Sequence, residues 1–402
     1  MQLIVKSDSA LHLRALKNIA VVLVVALNLK VGYASGDEDS LAHNGNCLHV
    51  DTALIPWAGK LTAPGNVRVA VPSLAEEGHA HLAWPKAIRT SNGTILLAYL
   101  AGNFHGTHGG HSPAVSISYD DGKTFGAPRI LKDFSSDREY TASGNLAMGI
   151  AEDGAIVLLA MGFRGNESNH IFGWRSVDDG KSWDTVDTDA LGPNKTGSVC
   201  GTIVQLPDQR LMVMGHYRKG AAPYQTGIWQ SISLDNGKSW GKPRMVTNIN
   251  GGEPVLVRTG NRLLAFIRGR GVGATHQYLA ISDNYGETWR VELTDIVAQN
   301  DHTKGLAHPF AMVNPTKEDE LMVITVERPL PGSVWLWRGG VKDLDFKIDK
   351  LLMEIPDVDG DRRPDYGYTW LLALGDNRYL MFYYHGLSRG DNSIWVAEFE
   401  LN

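Results

Sequence analysis

Cysteine is nearly missing from this chain: 402 residues contain only two, Cys47 and Cys200. No CxxC spacing occurs, which excludes a cysteine-based zinc site and a dithiol redox motif. In an exported protein the pair could close one bridge; otherwise they stand as two free thiols. An excess of positive charge is also missing. Lys and Arg number 38 against 44 Asp and Glu, for a net charge of -6 and a pI near 6.2. Bulk electrostatics therefore recruit neither nucleic acid nor an anionic membrane. Long apolar runs are scarce too. The one that stands out, Ile19 to Leu29, is about 11 residues, too short to span a bilayer comfortably.

At 43% hydrophobic content the chain has ample material for a core, which rules out a disordered chain, a disulfide-stapled miniprotein and a collagen-like repeat. Lys6, Arg14 and Lys17 precede the apolar run, and Gly32-Tyr33-Ala34 supplies small residues after it. This order predicts an export signal over residues 1–34. A polar leader comes next, over 35–54, and then a folded body over 55–402, with a secreted or periplasmic location. A short membrane anchor is the alternative; after cleavage no stable membrane span remains. Eleven Trp, thirteen Tyr and 44 Gly lean toward β-structure.

The body repeats. A polar turn followed by a short apolar strand occurs as Ser91-Asn-Gly-Thr-Ile-Leu-Leu-Ala-Tyr99, and again before strands starting near Ile156, Leu211, Leu263, Leu321 and Leu380. A second pattern comes after the first four of these: Ser118-Tyr-Asp-Asp-Gly-Lys-Thr-Phe125, Ser176-Val-Asp-Asp-Gly-Lys-Ser-Trp183, Ser233-Leu-Asp-Asn-Gly-Lys-Ser-Trp240 and Ser282-Asp-Asn-Tyr-Gly-Glu-Thr-Trp289. Chemically this is a tight turn. Asp or Asn accepts from backbone N–H groups, Gly takes positive φ, and the aromatic ring plugs the space beside it. Units of 52 to 61 residues, each with room for four short strands, predict an all-β fold: a six-bladed β-propeller with four-stranded blades and no second domain.

The four turns resemble the Asp-box of the sialidase superfamily, and the six-unit count is similar to that family's; the resemblance covers essentially all of the body. Asp-boxes occur in non-enzymatic propellers as well, so they carry fold rather than activity. The loops at the other end of the strands gather cations, His and Tyr: His81, His105, His108, Arg164, Arg218, Arg268, His308, Arg328 and Tyr368. Arginine forks suit carboxylates and sulfates, so an acidic oligosaccharide or polysaccharide is the expected partner. Glu253 followed by Arg268 resembles the family's base-and-clamp pair. Arg328 resembles a further carboxylate-binding Arg, and Tyr368 in Gly367-Tyr-Thr resembles its nucleophile. The resemblance thus implies a catalytic set of Glu253 and Tyr368 with Arg268 and Arg328 binding substrate, and loop position adds His81, Arg164, Arg218 and His308 as candidate substrate-binding residues.

Two positions depart from the family. Its first clamp Arg falls on Ala83-Trp-Pro85, where His81 could partly replace the missing cation, and its acid/base Asp falls within His105-Gly-Thr-His108. The spaced histidines His105, His108 and His111 read three ways: general acid/base catalysis, metal binding, or plain loop polarity. Asp357, Asp359, Asp361 and Asp365 have a calcium-like spacing but lack an EF-hand's Gly and Glu; a structural calcium ion or a solvated acidic loop both fit. No cofactor is required by the chemistry. Three functions fit these residues: a sialidase-like exo-glycosidase with an altered site, a polysaccharide lyase working by His/Tyr β-elimination on uronic-acid glycans, and a non-catalytic glycan-binding propeller.

Overall fold

The computed structural model describes residues 58–218, 226–328, 330–357 and 364–401. The expected export signal and leader, Cys47, Asp359 and Asp361 lie outside the described residues. The chain is all-β and β-propeller-like, with three short 3-10 turns among the described residues. No helix there is long and apolar enough to cross a membrane.

Two strands open the described part of the chain, β1 (Lys60–Leu61) and β2 (Gly65–Val71). The strands β3 (His81–Arg89), β4 (Ile95–Gly102), β5 (Ser112–Ser118) and β6 (Arg129–Ile130) then pair in order, each antiparallel to the last. The pattern repeats in β7 (Ala142–Ile150), β8 (Ile156–Arg164), β9 (Ser168–Ser176) and β10 (Asp184–Thr185). It repeats again in β11 (Gly197–Gln205), β12 (Leu211–Tyr217), β13 (Ile228–Ser233) and β14 (Arg244–Thr247). The next meander is β15 (Gly251–Thr259), β16 (Arg262–Gly269), β17 (His276–Ser282) and β18 (Arg290–Val297). After β19 (Gly305–Leu306) come β20 (Phe310–Asn314), β21 (Lys317–Arg328), β22 (Gly332–Gly340) and β23 (Lys347–Ile355). The chain ends with β24 (Pro364–Gly375), β25 (Arg378–Leu387) and β26 (Asn392–Glu400).

The last meander takes its outer strand from the start of the body: β2 pairs antiparallel with β26. The leading strands β3, β7, β11, β15, β20 and β24 pack each on the next, and β24 packs back on β3, so the order closes on itself. This explains why the buried stretches of the second strands are runs of apolar residues rather than alternating. β4 and β12 are buried along their whole length, because each has a neighbouring sheet on both faces. Leu96 is fully buried, and its truncation to Ala should cost about 2–5 kcal/mol.

The four Asp-boxes sit at the exits of the third strands β5, β9, β13 and β17, and their bonding repeats closely. In the second box the backbone N–H of Gly180 donates to Ser176 Oγ at 2.8 Å, and that of Ser182 to Asp178 Oδ1 at 2.8 Å. The third box repeats both at 2.8 and 2.9 Å. The box glycines Gly122, Gly180, Gly237 and Gly286 have φ of 80, 86, 82 and 86°. A Cβ on them would strike Leu380, Leu96, Val157 and Met212, side chains of the preceding meander. Each box therefore knits one meander to its neighbour, and the first reaches back to the last. The boxes lie where the third strands end, whereas the His- and Arg-bearing loops leave the ends of the second strands. Antiparallel pairing puts these at opposite ends of the sheets.

Candidate active site

The leading strands carry a recurrent irregularity. Pairing register breaks between Ala83 and Lys86, Gly252 and Val255, and Gly367 and Trp370. Within these bulges sit Trp84, Glu253 and Tyr368, with φ of 56, 51 and 51°. Bulky residues at positive φ cost of order 1–3 kcal/mol and persist where the surroundings hold them. A bulge re-aims a side chain out of the pleat; here it brings three side chains from distant meanders together. All three are buried.

Glu253 and Tyr368 form the first half of the site. The Tyr368 hydroxyl donates to Glu253 Oε1 at 2.5 Å, and Arg268 Nη1 donates to Oε2 at 2.8 Å. Burial alone would push the Glu253 carboxyl up, but Arg268, His308 and His216 hold it well below the usual carboxylate range. Burial and the Glu253 charge push the Tyr368 phenol well above its ordinary value, against Arg268. The resting pair is thus a carboxylate and a neutral phenol. His308, fully buried, stacks on the Tyr368 ring at 5.0 Å. Arg328 lies 5.7 Å from that ring's centre and donates to Tyr384 Oη at 2.9 Å and to the Tyr366 carbonyl. Gly367 lets it pass: a Cβ there would sit 2.8 Å from Arg328 Nη2. Arg268 and Arg328 line one cavity of about 570 Å³.

The second half is a histidine relay on the other side of Trp84. His105 Nδ1 and His81 Nε2 both meet Asp365 Oδ2, at 2.5 and 3.0 Å, and Tyr384 donates to Oδ1 at 3.1 Å. His81 Nδ1 in turn faces His111 Nε2 at 2.9 Å. Burial would raise the Asp365 carboxyl, but His105, His81 and Arg328 hold it far below the usual range. Burial and then His81 push His111 well below the ordinary imidazole value, so it stays neutral. With both hydrogen bonds aimed at one carboxylate oxygen, His105 keeps Nε2 for a ligand, on a side chain 41% exposed. Trp84 joins the halves, 5.0 Å from the His105 ring and 6.3 Å from the Tyr368 ring.

Not every expected residue converges. His108 is exposed and has no hydrogen bond to the relay or to Tyr368 among the described residues. Arg164 lines neither cavity beside Glu253, whereas Arg218 lines one of about 340 Å³ together with Glu253. His81 serves as the fully buried link between Asp365 and His111, rather than as an open cation. Asp365 changes role most. Asp357 is exposed, whereas Asp365 begins β24 and turns inward to the histidines. One ligand atom each from His81, His105 and Asp365 lie within 4.8 Å of one another, so this cluster could hold a metal ion. Two imidazoles with one carboxylate suit a transition metal better than calcium, which prefers oxygen.

Sequence reasoning gave Trp84, Tyr384 and His216 no specific role. Tyr384 and His216 belong to the His- and Arg-bearing ends of their second strands, and Trp84 stands where the family's clamp segment falls. Lys86 was missed; it is fully buried, with Nζ 4.9 Å from the Trp370 ring centre and 5.7 Å from that of Tyr368.

A β-propeller-like scaffold with such a site at one end resembles the fold of carbohydrate-active enzymes. The BNR repeat-like domain family matches residues 129–376, well over half of the chain, and the chain belongs to that family. Among solved structures, a protein of unknown function from Dyadobacter fermentans is similar at 19% identity and TM-score 0.62, over 84% of this chain and all of that one. A sialidase from Streptococcus pneumoniae aligns at 14% identity and TM-score 0.64, over 84% of this chain and 71% of its own. An α-L-arabinanase from Penicillium chrysogenum aligns at 14% identity and TM-score 0.61, over 84% and 98%. At these identities the likeness is one of fold. Comparison with curated protein sequences gave no match.

Proposed function

We propose that this is an exported carbohydrate-active enzyme: a six-bladed propeller with four strands per blade that cleaves a glycosidic bond at an acidic sugar, as a sialidase-like exo-glycosidase with an altered site. The observation that carries this reading is the Tyr368 hydroxyl bonded to Glu253, whose second oxygen is paired with Arg268. A neutral phenol can approach an anionic sugar without the repulsion a carboxylate nucleophile would meet, and an adjacent anion can take its proton.

In the first step Tyr368 Oη bonds to the anomeric carbon while the bond from that carbon to the leaving oxygen breaks. The phenolic proton passes to Glu253 Oε1, and a protonated His105 gives its Nε2 proton to the leaving oxygen. In the second step His105 takes a proton from water, the water oxygen bonds to the anomeric carbon, and Tyr368 departs and recovers its proton from Glu253. Arg268 and Arg328 neutralise the sugar's carboxylate. Asp365 orients His105 through its contact at Nδ1, as a buried acid does behind a catalytic imidazole.

One observation favours a lyase instead: the side chain at the acid/base position is an imidazole held by Asp365, not a carboxylic acid. In that reaction neutral His105 removes the C5 proton of a uronate and a C4–C5 double bond forms. The C4–O bond breaks, and Tyr368 protonates the leaving oxygen. Acidic glycans should be screened for both new reducing ends and the ultraviolet absorbance of unsaturated products. Reducing ends without absorbance, lost in Tyr368→Phe, support hydrolysis; both signals together support elimination. Silence in both channels alongside glycan binding would leave a non-catalytic binder.

A further inference from the structure

Beside Glu253 the molecule gathers more positive charge than one sugar carboxylate needs. The cavity of about 340 Å³ that reaches Glu253 is lined by Arg218, Arg270 and His216. The cavity of about 570 Å³ next to it is lined by Arg268, Arg270, Lys304 and Arg328. Arg270 thus stands between the two. Among the described residues, no carboxylate forms a salt bridge with Arg218, Arg270, Lys304 or Arg328, although the protein as a whole is acidic. Glu253 is engaged by Tyr368 and Arg268 and makes no salt bridge with Arg270 or Arg218.

Among the described residues the donors around Arg270 also lack an anionic acceptor. His216 Nδ1 accepts the backbone N–H of Glu253 at 3.2 Å, while its Nε2 faces Arg270 Nη2 at 3.1 Å. A neutral imidazole has one proton. If Nδ1 accepts, Nε2 carries that proton and points it at a guanidinium that can only donate. Burial, and then Arg270, push His216 down to about 3, so the ring is neutral and, with Nδ1 accepting, the conflict stands. Arg218 is no better served: its contacts are Met161 Sδ at 3.7 Å and the Gly165 carbonyl at 3.5 Å, with the guanidinium 4.5 Å from the Phe163 ring centre. Both oxygen and sulfur contacts are long for a charged donor. Gly252 gives Arg270 its place, since a Cβ there would strike the guanidinium.

We propose that Arg218, Arg270 and His216 form a second oxyanion subsite, which takes a further carboxylate or sulfate group of the substrate. An oxyanion there accepts from both guanidinium groups and from His216 Nε2–H, relieving the donor–donor contact. This rests on the reading of the site as a glycan-cleaving one and narrows its substrate to a glycan with two acidic groups. One is held by Arg268 and Arg328, the other by Arg218 and Arg270.

The test is titration calorimetry with inorganic sulfate, and separately with acetate, at constant ionic strength. It is run in the Arg328→Ala background so that the first clamp is weakened. Binding of either anion is expected, and the tighter of the two tells sulfate from carboxylate. Adding Arg270→Ala or Arg218→Ala should each weaken it by about tenfold or more, while Arg270→Lys weakens it less, because a point charge survives but the fork does not. Circular dichroism verifies that each variant is folded, and Arg218, partly exposed at the cavity wall, gives a variant independent of the packed Arg270. Equal affinity with and without Arg218 and Arg270, or no binding of either anion, overturns the subsite. No turnover enters the titration. Anion binding in a protein that cleaves no glycan would therefore refute the functional reading alone, and glycan cleavage with unaltered anion affinity would refute the subsite alone.

Discussion

Tyr368 and Glu253, 115 residues apart, share a 2.5 Å hydrogen bond between a phenol and a carboxylate, and both hold positive φ at the same kind of bulge. The strain and the bond have a common cause: each bulge turns a side chain out of its sheet toward the other. The pair is therefore assembled by two strand defects, not by a loop.

Tyr368→Phe should remove the proposed nucleophile and lower kcat by at least about 10²-fold, the scale of losing a group that acts in the reacting step. It also leaves Glu253 Oε1 short of a donor, so the folded state should lose about 1–3 kcal/mol in urea unfolding. A variant with full turnover on an acidic glycan would take Tyr368 out of the chemistry.

His105→Ala should lower kcat by about 10²–10⁴-fold with little change in stability, because the ring is partly exposed. His108→Ala should leave kcat unchanged, since His108 is exposed and outside the relay. Asp365→Asn should lower kcat, because an amide at this position cannot accept from His105 and His81 as the carboxylate does. Full kcat in Asp365→Asn would separate the relay from catalysis.

Acid should destabilise the protein through its buried carboxylates. Glu253 and Asp365 are both held below the ordinary values of 4.5 and 3.8. The unfolded chain therefore takes up protons first as the pH falls. Their contribution is complete above about pH 5 and shrinks progressively below it. Urea unfolding between about pH 6 and pH 3 should show a shallower loss in Glu253→Gln than in the parent. Parallel curves would contradict the assignment.

Lys86 predicts a slope of the same sign on the alkaline side. Burial pushes its ammonium down to about 8 from 10.5, with Cys200 and Glu253 pulling the other way. The unfolded chain holds this proton longer, so stability gained from Lys86 losing its charge should rise between about pH 8 and pH 10.5. Lys86→Met should lack that rise relative to the parent. Identical slopes would mean that Lys86 is better solvated than its surroundings suggest.

Asp178→Ala should cost about 1–3 kcal/mol, because it strips the turn of the acceptor for Ser182 N–H. Catalysis should be untouched, the box being at the far end of the sheets from Tyr368. Loss of kcat at full stability would argue against that separation.

Much of this was legible in the chain. Ile95, Ile156 and Leu211 begin the second strands of their meanders where the repeat placed them, because a turn of fixed chemistry followed by an apolar run is a local signal. The Asp-boxes were legible for the same reason: each closes its bonds within a few residues. Glu253, Arg268, Arg328 and Tyr368 could be picked out through resemblance, since each keeps a position relative to its own strand. Asp365 could not be placed. Its neighbours in sequence are Asp and Arg, and that spacing suggested an oxygen-lined ion site. Its partners His81 and His105 lie 284 and 260 residues away.

By itself, then, the sequence determined what is local: the repeat, the turns, the apolar second strands and the side chains available at one end of them. Tertiary structure alone decided how the ring is closed, with β2 from the start of the body completing the meander of β24 to β26. It also decided which side chains meet. Bulges at Trp84, Glu253 and Tyr368 turn three residues of separate meanders toward one another, and packing of the leading strands sets how close they come. Neither leaves a periodic mark in the sequence, because a bulge is one residue of displaced register and a ring closure is a contact between the chain's two ends.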